Sequence, residues 1–149
     1  VLIFGDAKCY YIRKKFIASS PSGLNPLIEF ARQAKSADRL HEYMSGEGIT
    51  HILINMPEAV RTGNYGNLYF SSTDLKIFDD YWRSYVKEVY RKDGLYLYEL
   101  VAFQNGASSE NILKEIYNQY SIKKASKYMN RKDWSKAALI FEESIEKGL

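Results

Sequence analysis

Two short apolar runs, Val1 to Phe4 and His51 to Asn55, set the tightest limit on what this chain can fold into. Both are strand-sized, rich in β-branched residues and nearly free of polar interruption. That is the pattern of strands buried on both faces in the middle of a parallel sheet. Parallel neighbours cannot be joined by a tight turn, so helical crossovers must lie between them. A third run, Phe16 to Ala18, supplies another strand, and right-handed crossovers place the first strand between the second and the third. A chain that opens inside such a strand, with no methionine or polar lead-in, is expected to be a piece of a longer protein.

The intervening segments carry helix signals. Asn25 offers a capping side chain just before Pro26, and Leu27, Phe30, Ala31 and Ala34 form one apolar stripe. Ser36 caps a second helix with Ala37, Leu40 and Met44 turned inward, ending around Gly46 to Gly48. Residues 57–72 are rich in Gly, Asn, Ser and Tyr without periodicity and read as a long rim loop. Ser72 or Thr73 then caps the strongest helix, in which Leu75, Phe78, Trp82, Tyr85 and Val89 repeat at helical spacing until Asp93-Gly94 stops it. Leu95 to Val101 is a fourth strand of either direction, and Glu99 marks it as near an edge. Together these elements predict an α/β domain over residues 1–104, a small three-layer, Rossmann-like, mainly parallel sheet of about four strands. Asn105 to Ser109 is a polar linker, and residues 105–149 form a helical appendage.

Composition narrows the function classes. A chain of 149 residues holds one domain with a real core, or one domain and a short appendage. No window approaches the roughly 18 to 20 apolar residues of a membrane-spanning helix, so direct membrane insertion is not expected. The net charge of +3 arises from 21 basic and 18 acidic residues. Only Arg13-Lys14-Lys15 and Lys123-Lys124 are locally basic, too little for a nucleic-acid face. The single cysteine, Cys9, excludes an internal disulfide or a paired-cysteine zinc site and reads as a small buried residue. Thirteen tyrosines are unusual for this length and suggest wide, half-exposed packing surfaces.

Candidate ligand-binding residues gather at strand ends. Gly5-Asp6 follows the first strand where open α/β sheets bind ligands, although the three-glycine dinucleotide fingerprint and a phosphate loop are both absent. Asn55, Glu58 and Arg61, with Asn64 and Tyr65 beyond, would meet Asp6 on the same rim. His51 opens a buried strand, and His41 is expected on the solvent side of its helix. No nucleophile with a paired base stands among these residues, so no catalytic residue, metal or cofactor is predicted.

The segment Lys127 to Phe141 resembles the second half of a tetratricopeptide repeat: Trp134, Ala137 and Phe141 fall on the expected aromatic and small positions, and Ala125 matches the small residue of the preceding helix. Lys132 departs from the pattern by standing where a glycine is usual. The resemblance implies docking of a protein or peptide through Tyr128, Trp134 and Phe141. A wider likeness spans residues 1 to about 104. Val1 to Tyr11, Asn25-Pro26-Leu27, Gly48 to Asn55 and Gly94 to Leu100 resemble the soluble C-terminal domain of bacterial polytopic glycosyltransferases of the dolichyl-phosphate-mannose mannosyltransferase type. That likeness implies an extracytoplasmic (periplasmic) location, a membrane domain of the same parent as partner, and an accessory role positioning the acceptor or the lipid-linked donor. Two other readings stay open: a protein-interaction module acting through the tail, and a small nucleotide-sugar enzyme using Asp6, His51 and Asn55.

Overall fold

The apolar runs form strands as their composition requires: β1 (Leu2–Phe4), β2 (Ile17–Ala18) and β3 (His51–Asn55). The protein is described by a computed structural model covering residues 1–5, 13–18, 23–63, 68–104 and 111–147. Asp6, Cys9, Asn64, Tyr65 and the linker at 105–109 lie outside the described residues. β1 lies between β2 and β3 and is parallel to both, with Leu2 in register with Ile17 on one side and Ile52 on the other. All three β1 side chains are at most 1% exposed, which explains their unbroken hydrophobicity.

The sheet departs from the expected one on its other side. The long helix α4 (Ser72–Tyr85) ends four residues before Val89, and Val86–Lys92 forms a strand, β4. A two-residue turn joins β4 to β5 (Leu95–Leu100). Asp93 and Gly94 both take positive φ, 50° and 78°, as the mirror-image hairpin turn demands. Asp93-Gly94 is therefore a hairpin signal and not a helix stop. The strand order is β2-β1-β3-β5-β4, with two parallel and two antiparallel pairings, so this is a mixed five-stranded sheet and not a mainly parallel Rossmann-like one. Glu99 does stand near an edge: β5 is the second strand in from it, and Glu99 sits between His51 and Lys87.

One face of the sheet carries the core. Leu2, Phe4, Ile52, Ile54, Tyr96 and Tyr98 join the buried sides of α1 (Pro26–Ala34), α2 (Ala37–Gly46), α4 and the first half of α5 (Ile112–Asn130). Ile3, Leu53 and Leu97, on the opposite face, contribute nothing to that core. The helical packing among the described residues is thus on one side of the sheet, without the third layer expected from sequence. Aromatic rings interlock through it, with Trp82 edge-on to both Phe78 and Tyr98.

Helix starts follow local chemistry. Asn25 accepts from the Leu27 amide at 2.9 Å and Pro26 opens α1. The cap of α4 is Ser71, one residue earlier than expected, because Asp74 completes a reciprocal capping box with it. Asp74 is 3% exposed and also holds Arg32 of α1 at 2.9 Å. In the tail, Ile112, Leu113, Ile116 and Tyr117 belong to the main core, whereas α6 (Trp134–Glu146) rests on α5 through a small separate cluster of Ala125, Ala137 and Ile140 with Tyr128 against it.

Candidate functional site

A short helix stands at the expected rim. α3 (Met56–Thr62) follows β3 with no intervening loop, and Gly5, at φ 87°, lies directly beneath it. A Cβ at Gly5 would stand 2.5 Å from the Asn55 carbonyl oxygen and 2.7 Å from the Ala59 methyl. The glycine there admits the close approach of α3. Asn55 caps α3 by accepting from the Glu58 amide at 3.2 Å. Glu58 in turn accepts from Arg61 at 2.7 and 2.5 Å. These three residues are brought together, engaged with one another.

His51 is not part of that group. It lies at the opposite end of β3, about 13 Å along the strand from Asn55, with its Nδ1 2.9 Å from the Thr50 hydroxyl. His41, expected in solvent, is instead packed flat on Tyr85 with ring centres 4.2 Å apart. Burial lowers its pKa against the opposing pull of Asp38 and Glu42. The Tyr85 hydroxyl donates to Asp38 at 2.6 Å, and this hydrogen bond, with burial, pushes its pKa up to about 12.

A concavity bounded by described residues lies elsewhere, along α5. Tyr117, Tyr120, Lys124 and Tyr128 succeed one another at three- and four-residue spacing and therefore share one side of the helix. Two adjoining cavities, of about 500 and 210 Å³, both take Tyr120 and Lys124 as wall. The larger is bounded by Tyr69, Phe70 and Ser71 at the start of α4, by Gly63 beyond α3, and by Glu143 and Lys147 at the end of α6. The smaller is bounded by Val60 and Arg61 of α3 and by Lys123 and Lys127 of α5. Among the described residues of the predicted rim, Arg61 reaches this groove.

Its electrostatics favour anions. Lys123, Lys124 and Lys127 form no ion pair among the described residues. Arg61 adds a cation balanced by Glu58, and Glu143 is the acid on the opposite wall. Lys147 donates to the Tyr117 hydroxyl and lies 4.4 Å from that ring's centre, and Lys124 is 5.8 Å from the centre of the Tyr120 ring. Such pairs hold ammonium groups at a ring face without neutralising them. Burial raises the pKa of Tyr120, aided by the surrounding Tyr69, Tyr117 and Tyr128, so its hydroxyl stays protonated. The Ser71 hydroxyl at the margin is occupied by the Asp74 amide at 3.0 Å.

No protein-family model matches the chain, and no curated protein or solved structure is significantly similar to it. The groove therefore has to be read from its own chemistry. Among the described residues no three His, Cys, Asp or Glu side chains stand together as metal ligands, and no helix is long and apolar enough to cross a membrane.

The docking residues expected in the tail differ in setting. Trp134 and Phe141 are 61% and 41% exposed, whereas Tyr128 is half-buried beside Ala125 and packs 5.7 Å from the Lys136 ammonium. Sequence reasoning noticed the tyrosine excess and the Lys123-Lys124 pair separately. Their common site was missed because its other walls come from Gly63 and Tyr69, more than fifty residues away in the chain.

Proposed function

We propose that this chain is a binding domain that holds an anionic, ring-bearing ligand, a sugar phosphate, in the groove along α5. The observation that carries the reading is the row of Tyr117, Tyr120, Lys124 and Tyr128 down one side of that helix, lining two adjoining cavities with Lys123 and Lys127 beside it. Lysine ammonium groups meet phosphate oxygens as mobile point charges, and tyrosine rings give a flat apolar face with a polar tip suited to a sugar. About 500 Å³ falls within the range of small-molecule sites.

The role fits an accessory domain of a membrane glycosyltransferase-like protein, positioning a lipid-linked sugar phosphate on the extracytoplasmic side of the membrane. The support for that setting is the resemblance of residues 1–104, carried by the strand-end motifs. The nucleotide-sugar enzyme reading is weaker, because His51 and Asn55 stand at opposite ends of β3.

Titration of glucose 1-phosphate against the protein, followed by tyrosine and tryptophan fluorescence, tests the proposal. Saturable binding is expected, with glucose alone at least tenfold weaker and Lys124→Ala reducing affinity about tenfold, the worth of one charge-assisted contact. A flat titration, or equal binding of glucose and its phosphate, rejects it. The interaction-module reading is favoured by one observation, the exposed Trp134 and Phe141.

A further inference from the structure

The two cavities that share Tyr120 differ in charge. The smaller is lined by Arg61, Lys123, Lys124 and Lys127, with no carboxylate among the described residues of its wall. Arg61 is balanced by Glu58, whereas Lys123 and Lys127 form no ion pair among the described residues. In the larger cavity the cations have their counter-charges: Arg32 is held by Asp74 at 2.9 Å, and Lys147 stands one helical turn beyond Glu143. Lys124 belongs to both walls and favours neither. Positive charge is therefore in surplus on one side of Tyr120 and balanced on the other.

We infer that the groove has a fixed polarity: the phosphate of the ligand occupies the smaller cavity, its sugar ring the larger, and Glu143 selects the sugar by accepting from its hydroxyls. The inference rests on the sugar-phosphate reading of the groove and adds to it an orientation and a specificity-determining residue.

A phosphate in the larger cavity would lie beside the Glu143 carboxylate, with the nearby cations already engaged. That carboxylate acts on Tyr120 itself, since the raised pKa of the tyrosine comes first from burial and then from the neighbouring tyrosines and Glu143. Moved past Tyr120, the same phosphate gains Lys123 and Lys127 as point charges and puts the ring between itself and the acid. Size agrees, with about 210 Å³ for the anion and about 500 Å³ for the ring. Lys124, 5.8 Å from the centre of the Tyr120 ring, stands at the junction of the two halves.

The larger cavity in turn supplies what a sugar needs. Tyr69 is 65% exposed and offers an open ring to the apolar face of a sugar. The ionised Glu143 carboxylate only accepts, and sugar hydroxyls donate, so the two form charge-assisted hydrogen bonds.

Glu143→Gln and Lys127→Ala test the polarity, because each changes an exposed residue that lines one cavity alone. Glucose 1-phosphate and inorganic phosphate are titrated against both variants and the unaltered chain, with circular dichroism confirming the fold. Glu143→Gln should weaken glucose 1-phosphate about fivefold and leave inorganic phosphate unchanged, whereas Lys127→Ala should weaken both about fivefold. The reverse orientation gives the opposite sign at Glu143, because removing a negative charge beside the phosphate tightens binding of glucose 1-phosphate. Such tightening overturns the inference while leaving the groove a sugar-phosphate site. So does a Glu143→Gln that spares glucose 1-phosphate or weakens both ligands alike, or a Lys127→Ala that spares glucose 1-phosphate. An unaltered chain that binds neither ligand rejects the sugar-phosphate reading itself, and the polarity with it.

Discussion

The ring of Tyr120 lies against the bare α-carbon of Gly63: a Cβ at position 63 would stand 2.5 and 2.7 Å from two of its ring carbons. This contact brings the residue after α3 against the middle of α5 and sets the floor shared by both cavities. Gly63→Ala must push the ring into the groove. The variant should lose about 1–3 kcal/mol of stability as an overpacked contact, and sugar-phosphate affinity should fall with it. Chemical denaturation and the fluorescence titration, run on the same preparation, check both effects.

Lys132 adopts a φ of 59° at the corner between α5 and α6, the left-handed conformation that a side chain pays to enter. Replacing it with glycine should stabilise the protein by about 0.5–1 kcal/mol. Gly5 is the opposite case, with φ 87° and backbone at 2.5 Å from any added Cβ. Gly5→Ala should cost about 2–4 kcal/mol. Urea midpoints for the two variants should therefore move in opposite directions.

Asp74 serves two elements at once, accepting from the Ser71 amide and pairing with Arg32. Asp74→Ala should cost about 2–3 kcal/mol through loss of the capping box and of the tie between α1 and α4. Arg32→Ala should cost less, because that side chain is 44% exposed and leaves Asp74 its two bonds within the cap. Thermal melts of both variants give the comparison.

Stability should depend on pH at two places around Tyr85. Burial holds the pKa of His41 below its ordinary value of 6.5, so the unfolded chain takes up the proton first. The contribution is present above pH 6.5 and is lost as pH falls through the lower folded value. Tyr85 behaves the other way, because its pKa is raised from 10 to about 12 by the hydrogen bond to Asp38 and by burial. Its contribution is present below pH 10 and is lost as pH rises through about 12. His41→Gln should flatten the acid limb of a denaturation-midpoint profile and Tyr85→Phe the alkaline limb.

Much of the parallel half was legible because a doubly buried strand leaves an unmistakable apolar run, and handedness then fixes the order of β2, β1 and β3. The antiparallel half was misread at Val86–Lys92, where Val89 happens to extend the helical stripe of α4. Six of the seven residues of β4 are exposed, so no inward alternation announced a strand; only the Asp93-Gly94 pair did, and it suits a helix end equally well. The setting of Gly5 was hidden for a related reason. A glycine after a strand signals close approach without saying of what, and here the approaching group is Ala59 of α3. The groove required knowing that Gly63 and Tyr69 meet α5, which no local pattern encodes.

Among the described residues, α6 is fastened through a small cluster of three buried apolar residues, yet it carries Glu143 and Lys147 to the wall of the groove. Such a helix opens at far lower cost than the sheet and its aromatic core. Any ligand gripped by Lys147 therefore contributes its binding free energy to keeping α6 seated. Occupancy of the groove would thus be written into the lifetime of the hairpin, and amide exchange in α6 would register a filled site before the sheet felt any difference.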